Sequence, residues 1–152
     1  MSRLLKAAIA AGFLVAFAAS EAHAQVKPEH LLKYRQGVMR AQAFQFGPLT
    51  GVVKGEVQWG PAMAQKAVNL AALSVIAGDV FSPASKDLAN SDAKPEIWAK
   101  PDDFKKVMAV YQAETAKLAA LAKTDDLEAI MAQINAVGKA CGACHEDFVV
   151  KR

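Results

Sequence analysis

Apolar positions recur along this chain every three to four residues between turn signals, and strand-like alternation is missing, so the chain reads as helices. The first helix begins near Pro28, a residue suited to an initial helical turn, and Leu32, Arg35, Met39, Phe46, Leu49 and Val53 follow at helical spacing. Pro48 is expected to kink or interrupt it, because proline removes a backbone donor and crowds the preceding turn. Residues 55–60 form a turn. Pro61 opens a second helix with Met63, Ala67, Leu70, Leu73 and Ala77 on one face, and Gly78 ends it. Residues 79–100 are rich in Pro, Ser, Asp and Asn, a long connection of the kind that is either functional or loosely ordered. Asp102 and Asp103 start a third helix that turns Phe104, Val107, Met108, Tyr111, Leu118 and Leu121 inward. Thr124 is the expected N-cap of a fourth, whose positive end suits Asp125, Asp126 and Glu128 and whose negative end suits Lys151 and Arg152. Four helices with short links and one long loop predict an all-α fold, an antiparallel up-down-up-down four-helix bundle.

The first residues lie outside this pattern. Arg3 and Lys6 precede an apolar run over residues 7–19, and Ala22-His23-Ala24 places small residues before Gln25, the layout of an export signal. The run is shorter than the ~20 residues of a spanning helix, and Ser20-Glu21 breaks its outer end, so residues 1–24 are expected to be removed as a signal peptide. Residues 25–152 then form one exported domain with no membrane span. That mature chain carries 16 basic and 14 acidic residues, too balanced and too dispersed for a nucleic-acid footprint.

The only two cysteines sit three residues apart near the C-terminus, so they serve a local purpose rather than stapling distant parts of an exported chain. Cys141-Gly142-Ala143-Cys144-His145 is the attachment pattern of c-type haem, here inside the fourth helical stretch. Positions i, i+3 and i+4 share a helix face, so both thiols can meet one porphyrin edge while the imidazole swings over the ring as axial ligand to iron. The same stripe runs back through Leu127, Ile130, Ile134 and Val137 and on to Phe148. Gly138 permits either a close approach of the porphyrin or plain helix packing. A thiol redox pair would need a strand and helix setting that this chain lacks. A zinc site would need a fourth ligand, and His30 is the only other mature-chain histidine.

The iron's other axial position decides function. Met39, on the inward face of the first helix, can supply a thioether ligand and make a low-spin electron carrier, or it can pack against the ring and leave iron five-coordinate. Arg35, a charge on an otherwise apolar face, wants an anion such as a haem propionate; the alternative is a stem that snorkels to water.

At this point the chain resembles the class II c-type cytochromes, specifically the cytochrome c′ family. The resemblance rests on the C-x-x-C-H motif close to the C-terminus, on Lys33-Tyr34-Arg35-Gln36 with Met39 three residues on, on Phe46-Gly47-Pro48-Leu49 ahead of Lys54-Gly55, and on Lys94-Pro95-Glu96-Ile97-Trp98. It implies a bundle, commonly a homodimer, with one covalent haem c whose high-spin iron has a vacant sixth site shielded by the residue at Met39. It further implies a non-enzymatic protein that binds nitric oxide and carbon monoxide and has a proposed role in electron transfer to partner proteins. Arg35 and Gln36 match haem-contacting positions, and Ser85 falls where a hydroxyl often lies near a propionate. Val149 departs from the pattern, because many relatives carry Arg or Lys four residues after the axial histidine. The rival expectation is a low-spin relative with Met39 on iron.

Overall fold

The computed structural model describes residues 26–150, so the expected signal segment 1–24 and the pair Lys151 and Arg152 lie outside the described residues. Four long helices, α1 (Pro28–Val53), α2 (Pro61–Ala77), α4 (Pro101–Leu121) and α5 (Leu127–Phe148), form the bundle, and α3 (Glu96–Ala99) is a single turn within the long connection. α1 packs on α2, α2 on α4, α4 on α5, and α5 returns to α1 through the thinnest of the four seams. Leu49, Leu70, Leu118, Ile130, Ile134 and Val137 are sealed between the helices. Each such side chain contributes roughly 1.5–3 kcal/mol by leaving water. No helix among the described residues is long and apolar enough to cross a membrane.

Prolines start α1, α2 and α4, where a missing backbone N–H costs nothing because the first turn has no partner for it. Pro101, rather than Asp102, opens α4, and the two aspartates occupy its first turn. Pro48 does not interrupt α1, which continues to Val53; the Thr50 hydroxyl donates to the Gly47 carbonyl at 2.7 Å in the affected turn. Gly55 then adopts φ 73°, a left-handed conformation that turns the chain toward α2.

Two expectations for α5 need correction. Asp126, not Thr124, is its N-cap: the Asp126 carboxylate accepts from the Ala129 backbone N–H at 3.0 Å, while the Thr124 hydroxyl donates to the Leu121 carbonyl at 2.8 Å and so closes the end of α4. Leu127, the first residue of α5, is exposed and falls off the inward stripe, which begins at Ile130.

The connection over residues 79–100 is ordered by its own packing. It contains a 3₁₀ turn at Pro83–Ser85 and α3, buries Val80 and Ile97, and is pinned where the Trp98 indole N–H donates to the Phe81 carbonyl at 3.0 Å. Its far end pairs with the end of α5: Lys94 N–H donates to the Phe148 carbonyl at 2.9 Å, Val150 N–H to the Asp92 carbonyl at 2.8 Å, and the Lys94 ammonium to the Glu146 carbonyl at 2.8 Å.

Candidate cofactor site

A cavity of about 490 Å³ lies among α1, α2, α4, α5 and the long connection. This falls within the roughly 300–1,000 Å³ of cofactor sites. α1 lines it with Leu32, Arg35, Gln36, Met39, Gln42 and Phe46, α4 with Met108 and Tyr111, and α5 with Cys141, Cys144 and His145. The helical repeat is the cause: residues 32, 35, 39, 42 and 46 form one stripe of α1, and residues 141, 144 and 145 one face of α5. A second recess of about 640 Å³ shares the Phe46 wall, but its lining, which includes Thr50, Lys54 and Lys139, holds no cysteine or histidine.

The two thiols are half-buried and free, and His145 is exposed on the cavity wall. Burial pushes the Cys141 thiol up, and burial together with the Cys141 charge and Asp147 pushes Cys144 up to about 11. A dithiol enzyme needs the reverse, a thiol held low enough to ionise near neutrality. Among the described residues no group of three His, Cys, Asp or Glu is gathered to hold a metal ion unaided. Two protonated thiols and an imidazole on one helix face, beside an apolar cavity, are the donor set that haem c requires.

Arg35 does not snorkel: it is 4% exposed. Its guanidinium donates to the hydroxyls of Ser85 at 3.1 Å and Ser91 at 2.8 Å, and it stacks near the rings of Phe81 and Trp98 at 5.2 and 5.8 Å. Burial lowers its pKa, yet the guanidinium stays charged at any physiological pH. A buried cation held by neutral hydroxyls beside a cofactor cavity fits an anionic group brought by that cofactor.

The remaining expected residues divide. Gln36 lines the cavity, and its amide donates to the Asn90 carbonyl at 3.1 Å, steadying a residue with φ 66°. Ser85 is fully buried behind Arg35 and is not part of the cavity lining; its hydroxyl accepts from Arg35 and donates to the Ser82 carbonyl at 2.8 Å. Val149 does line the cavity, in an antiparallel bridge with Ala93. At Gly138 an added Cβ would lie 3.4 Å from Phe46 Cζ, so α5 packs against this α1 side chain at the glycine.

The sequence reading missed Gln42, and it placed Tyr111 on an inward helix face without a role in the site. The Tyr111 hydroxyl donates to Gln42 Oε1 at 2.6 Å, and Gln42 Nε2 in turn faces the Met39 sulfur at 3.4 Å. A signal existed: Gln42 is a polar residue on the inward stripe of α1, three residues after Met39.

Comparison with known proteins follows the same lines. The family described as Cytochrome C′ matches residues 30–149. Cytochrome c′ of Alcaligenes xylosoxydans xylosoxydans is 35% identical over 127 residues, covering 83% of this chain and 98% of the relative. Two solved structures of cytochrome c prime from Alcaligenes xylosoxidans share the fold. A ferrous variant with bound NO superposes with TM-score 0.76 at 34% identity, over 84% of this chain and 98% of that one. A carbon monoxide-bound variant superposes with TM-score 0.75 at 35% identity, over 83% and 98%. With a family match across its whole bundle and the attachment motif on the cavity wall, this chain belongs to the cytochrome c′ family, whose members carry covalent haem c.

Proposed function

We propose that residues 25–152 act in the bacterial periplasm, after removal of residues 1–24, as a haem c protein that binds nitric oxide and carbon monoxide at a five-coordinate, high-spin iron. The observation that carries this reading is the shared cavity, which is lined by Cys141, Cys144 and His145 of α5 and by Met39 of α1. Haem iron held by a proximal histidine supplies an open coordination site for a diatomic gas. Cys141 and Cys144 would fix the cofactor to α5, and His145 would bind its iron. Met39, half-buried, guards the opposite side. The gas-bound structures of the Alcaligenes relative support this assignment of ligands. The protein binds and passes on ligands or electrons rather than turning over a substrate, and it works as a homodimer with separate redox partners. The rival arrangement, Met39 bound to iron in a low-spin electron carrier, is favoured by the position of the Met39 side chain in the cavity wall.

One absorption spectrum of the purified protein in both oxidation states separates them. A high-spin spectrum is the expected result; a low-spin spectrum with a thioether-to-iron charge-transfer band overturns it.

Arg35 supplies the positive charge that answers a haem propionate, with Gln36 on the same wall and Ser85 holding the guanidinium from behind. A nearby cation favours the reduced, less positive iron, and in a buried site that interaction is poorly screened. Arg35→Leu is therefore expected to lower the reduction potential of the haem, measured by spectroelectrochemical titration at low ionic strength. An unchanged potential would show that Arg35 only props the loop.

A further inference from the structure

We infer that Gln42 is a positioning residue for the distal guard: its amide tethers the Met39 sulfur to α1, and Tyr111 holds the amide in the orientation that makes this possible. The inference rests on the reading of Met39 as a guard and adds what governs how readily that guard gives way.

The orientation of the amide follows from its neighbours. Gln42 Nε2 lies 3.4 Å from the Val38 carbonyl, which can only accept, so the NH₂ group faces α1 and the amide oxygen faces Tyr111. Tyr111 must then be the donor at 2.6 Å. Burial raises the phenol's pKa, so the hydroxyl keeps its proton throughout the physiological range. With its oxygen occupied, the amide has two N–H groups left, for the Val38 carbonyl and for Met39 Sδ at 3.4 Å.

A thioether is a weak acceptor, and in water such a contact would exchange freely with solvent. Here Gln42 and Tyr111 are 8% and 6% exposed, so no water stands ready to replace the sulfur. Methionine is the most mobile apolar side chain, and a guard made of it alone would hop among rotamers. The tether selects one of them. A gas that reaches the iron by displacing Met39 must first separate the sulfur from the amide, so the tether slows entry without touching the ligand.

The test is a double-mutant cycle on the haem-bearing protein. Carbon monoxide association with the ferrous form, the resting spectrum and denaturant unfolding are measured for the unmutated chain, Gln42→Leu, Met39→Leu and the double variant. Gln42→Leu is expected to speed association by about threefold, the equivalent of one weak hydrogen bond. It should have no effect once Met39 is leucine, because no sulfur remains to be held, and unfolding should show the same coupling between the two positions. Tyr111→Phe, a milder change that leaves the amide in place but free to turn, should act in the same direction and keeps the test available if Gln42→Leu does not fold. An equal effect of Gln42→Leu in both backgrounds, or none in either, overturns the tether while the guard survives if Met39→Ala still speeds association. A low-spin resting spectrum of the unmutated protein overturns guard and tether together.

Discussion

Replacing Cys141 and Cys144 together by alanine is expected to abolish haem that stays with the polypeptide on denaturing electrophoresis, whereas the unmutated protein keeps it. The two sulfurs stand one helical turn apart on the cavity wall, where each would provide one thioether anchor. Without them His145 and apolar packing alone would retain the cofactor. Covalent attachment holds a group at an effective concentration near the millimolar range whatever the solution contains. A cofactor that binds only the folded chain stabilises it, so the double variant should also unfold more easily. Single variants should keep stainable haem through the surviving bond. Haem that extracts freely from the unmutated protein would end the assignment.

Met39→Ala is expected to raise the rate of carbon monoxide binding to the ferrous protein by about tenfold, which corresponds to about 1.4 kcal/mol of barrier. The side chain is half-buried on the inward stripe of α1 and faces the shared cavity, so truncation removes the body that an incoming diatomic has to displace. The resting iron should stay high-spin in the variant. Conversion from a low-spin to a high-spin resting spectrum on the same substitution would show that sulfur had been a ligand. Stopped-flow or flash photolysis gives the rate, and absorption gives the spin state.

Much of this could be read from residues alone, and the reasons differ by element. The inward stripes of α1, α4 and α5 are set by helical periodicity, and burial of Leu32, Phe104, Met108, Ile130 and Ile134 follows that rule. The attachment motif was equally plain, because its spacing and its chemistry coincide. Thr124 was a poor guide because hydroxyl and carboxylate residues crowd the turn between α4 and α5, and which of them caps depends on the register at which α5 starts. The long connection was harder still. Nothing in its Pro, Ser and Asp content says that Ser85 and Ser91 meet Arg35, since those contacts span 50 and 56 residues. Gln42 goes unnamed in the periodicity, although a polar residue at an inward position asks for a partner, and Tyr111 is that partner.

The segment over residues 90–94 touches both sides of the cavity. It receives Gln36 and Arg35 of α1 at Asn90 and Ser91, and from Asp92 to Lys94 it pairs with residues 148–150 at and just beyond the end of α5. α1 and α5 meet only along a thin seam, so this segment works as a gauge block that sets the distance between them. Lengthening the chain by one residue at 55–60, outside the gauge, alters a turn; the same insertion at 90–94 alters the width of the slot into which a flat, rigid ring has to fit.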